Sequence, residues 1–173
     1  MITTEHHSLI GTLTLAADET GLRHIIFPSG SRAFEAPENW SVNSAGFSQI
    51  RQELDEYFAG KRRQFSIRIS PAGTVFQQSV WKALQEIDYA NTCSYGDIAL
   101  KIGKPSASRA VGAANRANPI PIIVPCHRVI GASGKLTGFG GGLHTKAWLL
   151  SHERGEVQMF EFTSPASDQK SLA

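Results

Sequence analysis

The hydrophobic pattern of this chain breaks at Ser70-Pro71-Ala72-Gly73, where a domain boundary is placed. Before that break, apolar residues mostly alternate with polar ones; after it they recur at helical spacing. Alternation fits a half-buried strand and a period near 3.6 fits an amphipathic helix, and one pattern cannot serve as the other. The chain is therefore expected to be α+β. A small N-terminal antiparallel sheet with a helix would occupy residues 1–70, and a mostly helical domain residues 71–155. With 173 residues the chain is long enough to bury a real core.

In the first part, Leu9, Leu13 and Leu15 alternate with Thr12 and Thr14, predicting a strand over 9–15. Gly21 to Pro28 reads as its hairpin partner, with Asp18 to Gly21 as the turn. Residues 29–43 read as loop. Phe47, Ile50, Leu54, Tyr57 and Phe58 predict a helix closed by Gly60, and Phe65, Ile67 and Ile69 predict a third strand. In the second part, Phe76, Val80, Leu84 and Ile87 form one apolar stripe. Ser94-x-x-Asp97 has the form of a capping box opening a short helix over 96–102. Gly103-Lys104-Pro105 is the turn, and Ser106 is placed to cap a second helix through about Arg116. The pair predicts a helix-turn-helix of winged-helix-like type. Residues 156–173 are expected to be a loosely ordered tail, docked by Met159, Phe160 and Phe162.

A hydrophobic content of 41% and a charged content of 18% are ordinary for a soluble globular protein. No apolar run approaches the ~20 residues of a membrane span. The N-terminus lacks the basic and apolar regions of a secretory leader. Two cysteines make neither a disulfide framework nor a zinc site, and a reducing cytoplasm is the expected compartment. Charge is uneven: residues 95–128 carry Lys101, Lys104, Arg109, Arg116 and Arg128 against Asp97 alone. That segment fits either a docked polyanion or a solvated helix face. The second helix, from Ala107 to Arg116, offers mainly Ala and Gly with Arg109 near its start. Such a face carries little base code, so DNA contact there would be driven by phosphates, with Arg109 available to insert. A buried Ala-rich helix is the alternative.

"NPIPIIVPCHRVIG" places Cys126 directly before His127 and Arg128. A nucleophilic cysteine needs an electropositive or basic setting, and the base needs an orienting acid, for which Glu153 is the candidate. In an extended segment adjacent side chains point apart, so a bridging water fits better than a direct Cys–His bond. A buried structural cysteine is the competing reading. Cys93 has no nearby base and reads as packing. Pro119, Pro121 and Pro125 fix φ and favour a rigid extended lead-in.

The stretches "TVFQQSVWKAL", "SYGDIA", "SASRAVGAANRANPIPIIVPCHRVIG" and "TGFGGG" resemble the O6-alkylguanine-DNA alkyltransferases, the methylated-DNA–protein-cysteine methyltransferases. The resemblance is dense over residues 74–153 and covers the first 70 only in layout. It implies DNA repair by direct damage reversal. A thiolate accepts the alkyl group of O6-alkylguanine or O4-alkylthymine from a base flipped through the minor groove. The thioether product has no good leaving group, so each molecule reacts once, without cofactor or metal. The implied partner is double-stranded DNA carrying alkylated bases, bound by a monomer; cooperativity on DNA is left open.

By the same resemblance Cys126 is the acceptor, His127 its water-linked base and Glu153 the orienting acid. Asn118 pins the turn before the acceptor segment, and Tyr95 donates to guanine N3. The carbonyls of Cys126 and Val129 accept from the guanine amino group, the N–H of Gly140 donates to O6, and Phe139 faces the alkyl group. Arg109 is the finger that replaces the flipped base. Ala107, Ala110 and Gly112 face the minor groove, Ser106 also binds DNA, and Arg116 lies near phosphate. Two departures stand out. Asp88-Tyr89-Ala90 replaces the usual Pro-x-Gly, a loop expected to carry no chemistry. Phe139 replaces a common Tyr, and with the glycines around it predicts a pocket tolerant of groups larger than methyl. A cysteine hydrolase and a lesion-binding protein without transfer remain as rivals; the second would lack the acceptor cysteine.

Overall fold

The computed structural model describes residues 1–28, 37 and 39–156. Three strands, β1 (Ile2–Ser8), β2 (Gly11–Asp18) and β3 (Gly21–Ile26), form an antiparallel meander, and a short β4 (Ser41–Val42) pairs parallel to β1. The sheet order is β3-β2-β1-β4. Helix α1 (Ser48–Phe58) lays Ile50, Leu54, Tyr57 and Phe58 into the core, and Gly60 follows it at a φ of 70°, the left-handed position that ends helices.

The strand expected over 9–15 begins at Gly11, and Leu9 is exposed in the turn before it. The unforeseen β1 reads "ITTEHHS" and buries Thr3, Thr4 and His6, so it shows no apolar alternation to detect. The third strand expected over 65–69 makes no ladder. It meets β3 at one bridge, Leu22 with Ile69, bounded by Leu22 N–H to Arg68 O (3.0 Å) and Ser70 N–H to Leu22 O (2.8 Å). The crossing is close: a Cβ on Gly21, whose φ is 133°, would sit 2.6 Å from Arg68 O. Phe65, Ile67 and Ile69 still pack on the core, which is why they alternate.

The second part opens with α2 (Val75–Gln85), held by a reciprocal capping box of Thr74 and Gln77. The expected Ser94–Asp97 box caps α3 (Tyr95–Lys101). After the Gly103 turn, α4 (Ser108–Arg116) completes the helix-turn-helix. Its N-cap is Ala107, with no side-chain hydrogen bond, so Ser106 is not the cap; it sits exposed one residue earlier. A two-residue parallel ladder, β5 (Cys93–Ser94) with β6 (Val129–Ile130), brackets the acceptor segment, and α5 (Gly142–Glu153) closes the domain.

One apolar cluster runs from Leu13, Leu15 and Tyr57 through Trp81, Ile98 and Val111 to Leu149, joining both parts of the chain. Polar ties cross the same boundary, including Ile25 N–H to Pro119 O at 2.9 Å. The expected tail, with Met159, Phe160 and Phe162, lies outside the described residues beyond 156. Among the described residues, no helix is long and apolar enough to cross a membrane.

Candidate active site

The segment from Asn118 to Arg128 is a chain of turns, in contrast to the extended lead-in expected from its prolines. Asn118 Oδ1 accepts from Ile120 N–H (3.0 Å) and its Nδ2 donates to Val124 O (2.8 Å), while Val124 N–H returns to Ile120 O (3.0 Å). Ile122 sits at a φ of 75°, a left-handed conformation that costs a β-branched residue about 1–3 kcal/mol. Proline fixes φ at its own position, and this does not prevent reversals between prolines. Asn118 thus clamps a loop whose strain delivers Cys126 into a 3₁₀ turn, Cys126–Arg128.

Cys126 is 4% exposed and His127 fully buried. His127 Nε2 lies 2.7 Å from Glu153 Oε1, and its Nδ1 has no hydrogen-bond partner among the described residues. Glu153 is enclosed by donors. Oε1 also accepts from Tyr57 Oη (2.8 Å) and Arg128 Nη2 (3.0 Å), and Oε2 from Arg128 Nε (2.9 Å) and the Ala90 N–H (3.0 Å). Burial pushes the Glu153 carboxyl pKa up, but the hydrogen bonds of His127 and Arg128, with the guanidinium charge, outweigh it and hold the group ionised. Burial also lowers the His127 pKa, against the pull of Glu153. The arrangement is a carboxylate facing a neutral imidazole that donates from Nε2, which leaves the lone pair of Nδ1 available as a base.

A cavity of about 150 Å³ opens beside Cys126, with Phe139, Gly140, Arg116 and Asn118 in its lining. That is room on the scale of one flat aromatic molecule. Its other wall comes from β3 and the residue after it, through His24, Ile26 and Phe27, with the Phe27 and Phe139 rings 5.4 Å apart. Tyr95, His127, Val129 and Glu153 lie outside this lining. Tyr95 Oη pairs with Thr137 Oγ1 at 2.9 Å, and its ring lies 3.8 Å from where a Gly112 Cβ would stand. The Val129 carbonyl is held by Lys146 Nζ (2.6 Å), which also donates to Thr137 O (2.8 Å). Burial brings the Lys146 ammonium pKa down to about 8, opposed by the charge of Cys126.

On α4, Arg109, Ala110, Ala113 and Arg116 are exposed, Ala107 and Gly112 are half-buried, and Val111, Ala114 and Asn115 are buried. The Arg116 guanidinium lies against Gly138, where an added Cβ would stand 3.2 Å from Nη2. Two members of the basic segment are paired with acids, one in the interior and one at the surface. Arg128 is buried on Glu153, and Lys101 pairs with Glu86 at 2.9 Å.

Several positions around the site escaped the sequence reading. Asn115 donates from Nδ2 to Cys126 O (3.3 Å), and the Asp88-Tyr89-Ala90 loop, expected to carry no chemistry, supplies a donor to Glu153. Lys146 had a signal: it lies seven residues before Glu153, hence on the same face of one helix. Tyr57, His24 and Phe27 had none, because they come from the other end of the chain.

A strained turn that seats a buried thiol beside an imidazole–carboxylate pair, behind a helix-turn-helix, defines a DNA-facing cysteine acceptor protein. Residues 1–71 match the 6-O-methylguanine DNA methyltransferase, ribonuclease-like domain, and residues 75–155 the 6-O-methylguanine DNA methyltransferase, DNA binding domain. The methylated-DNA–protein-cysteine methyltransferase of Methanosarcina acetivorans is 52% identical over 146 residues, covering 84% of this chain and 94% of that protein. That of Mycobacterium tuberculosis H37Rv is 49% identical over 151 residues, covering 87% and 90%. The crystal structure of Mycobacterium tuberculosis OGT in complex with DNA superposes with a TM-score of 0.85 at 46% identity, covering 90% of this chain and 94% of that one. The chain belongs to the 6-O-methylguanine DNA methyltransferase family.

Proposed function

We propose that this chain repairs alkylated double-stranded DNA by one irreversible transfer of an alkyl group from O6 of guanine, or O4 of thymine, to Sγ of Cys126. The observation that carries the reading is the cavity beside Cys126, backed by a neutral His127 whose Nε2 is committed to Glu153. His127 Nδ1 takes the thiol proton through a bridging water. The thiolate then attacks the alkyl carbon: an S–C bond forms, the C–O6 bond breaks, and the electron pair leaves with the base. Tyr95 supplies a proton to guanine N3, so the departing base is neutral. The product is a thioether and the protein is spent; no cofactor enters this sequence.

A base in a duplex cannot reach the cavity, so it is flipped at a cost of a few kcal/mol. Arg109, exposed on α4, fills the gap, and the small side chains of Ala107, Ala110 and Gly112 let the helix backbone approach the minor groove. Ser106 and Arg116 contact phosphate. The Cys126 and Val129 carbonyls and the Gly140 N–H read the base edge, and Phe139 packs on the alkyl group. Residues 71–155 form the DNA-binding and acceptor domain, and residues 1–70 a structural domain walling the cavity. The protein acts as a monomer in the cytoplasm.

The test is incubation with a slight excess of duplex carrying one O6-methylguanine, followed by intact and peptide-mapped mass spectrometry. One methyl group on Cys126 per protein, with no turnover and none in Cys126→Ala, is expected. Duplex-bound but unmodified protein would overturn transfer in favour of lesion recognition alone.

A further inference from the structure

Tyr57 is fully buried near the C-terminus of α1, in the half of the chain that holds neither the cysteine nor the recognition helix. Its ring packs among Phe65, Tyr89 and His152 at centroid distances of 5.5, 6.2 and 5.3 Å. A phenylalanine would serve that packing equally; what differs is the hydroxyl. A buried tyrosine hydroxyl requires a partner, and this one donates to Glu153 Oε1 at 2.8 Å, the oxygen that His127 Nε2 meets at 2.7 Å. One residue away, the Tyr57 carbonyl takes a second bond to α5, from His152 Nε2 at 2.7 Å. The residue therefore grips α5 at two successive positions across 96 residues of sequence.

We propose that Tyr57 is a positioning residue of the acceptor relay: its hydroxyl fixes the Glu153 oxygen that orients His127, making the N-terminal domain a working part of the transfer machinery. The inference rests on the reading of Cys126, His127 and Glu153 given above. Burial and the neighbouring Glu153 charge raise the Tyr57 pKa, so the hydroxyl remains a donor throughout the working range. Arg128 and the Ala90 N–H hold Glu153 from other directions. Removing the phenol therefore leaves a paired carboxylate, but one whose Oε1 leans wholly on His127 and Arg128. The charged and titratable groups facing this centre are Arg128 and His127 from the 3₁₀ turn, Lys146 from α5, and Tyr89 from the loop after α2. None is altered by Tyr57→Phe.

The experiment compares wild type, Tyr57→Phe and Ile50→Val. Ile50 is a buried α1 residue, and its variant serves as a packing control. The readout is the single-turnover rate of methyl transfer from duplex O6-methylguanine across pH, with thermal unfolding in parallel. A hydrogen bond to a charged group is strong enough to give about a tenfold rate loss in Tyr57→Phe. The acid limb of the profile is also expected to move to higher pH, because Glu153 with one donor fewer raises the basicity of His127. Ile50→Val should keep the wild-type rate and limb at a similar or lower melting temperature. A Tyr57→Phe profile coincident with wild type, or an equal loss in Ile50→Val, would overturn the role of Tyr57 while leaving the relay intact. Failure of the wild type to transfer at all would instead sink the relay reading.

Discussion

Ala90, held at a φ of 66°, donates its backbone N–H to Glu153 Oε2 at 3.0 Å. A non-glycine residue is strained there by roughly 1–2 kcal/mol. The bond explains why the loop keeps this shape: the N–H points at the carboxylate only while the residue stays left-handed. Ala90→Gly is expected to relieve the strain, raise stability by about 1 kcal/mol, and leave the transfer rate unchanged. Denaturant unfolding of the two proteins checks it, and a lower midpoint in the variant would contradict it.

Gly141, next to the cavity-lining Gly140, packs against Phe27 from the first part of the chain. An added Cβ would stand 2.9 Å from the Phe27 ring, whereas one at Gly140 meets nothing within 4 Å. Gly141→Ala should push Phe27 and lower the rate on O6-benzylguanine more than on O6-methylguanine. Wild type is expected to accept both, as its small-residue wall predicts. A near-total block of the benzyl adduct in wild type would contradict that tolerance, and equal losses in Gly141→Ala would exclude Phe27 from specificity.

Arg109 stands exposed near the start of α4, with no ion pair described. Its proposed task exists only in a duplex. Arg109→Ala should therefore slow transfer from duplex DNA by at least about tenfold, with little change on free O6-benzylguanine. Equal effects on both substrates would remove the finger role.

Stability should fall on acidification in two stages. His127 is less basic in the folded chain than its ordinary 6.5, and Glu153 more acidic than its ordinary 4.5. In both cases the unfolded chain binds more protons than the native one, so stability rises with pH. It is fully present above about pH 6.5, declines as unfolded His127 takes up a proton, and declines further below about 4.5. Melting temperatures from pH 8 to 4 test this. Glu153→Gln should flatten the lower stage, and a level profile in wild type would refute the account.

The break at residues 70–73 and the helical stripes after it were legible because burial on one face leaves a period in sequence. So were the pairing of His127 with Glu153, an acid expected to orient a base, and the Ser94–Asp97 cap, which is local; Cys126 stood out as an acceptor only through the resemblance. β1 was not legible, because it buries threonine and histidine. The course of residues 118–126 was not either: three prolines say where φ is fixed but not that Ile122 reverses between them. Tyr57 and Phe27 reach the site through tertiary packing alone, and no spacing in a single chain encodes a partner 96 residues away.

Arg128 lies in the basic stretch that would face DNA, yet it is buried on Glu153, whereas Lys101 pairs with Glu86 at the surface. Lys101, Lys104, Arg109 and Arg116 remain exposed. Displacing counterions from about four phosphates would give an affinity that falls with salt at a logarithmic slope between about −3 and −4, shallow beside that of a high-affinity repressor. Glu153, the proposed orienting acid, thus withdraws one charge from that stretch. Such contact would release undamaged duplex readily and leave a molecule that reacts only once free to keep searching.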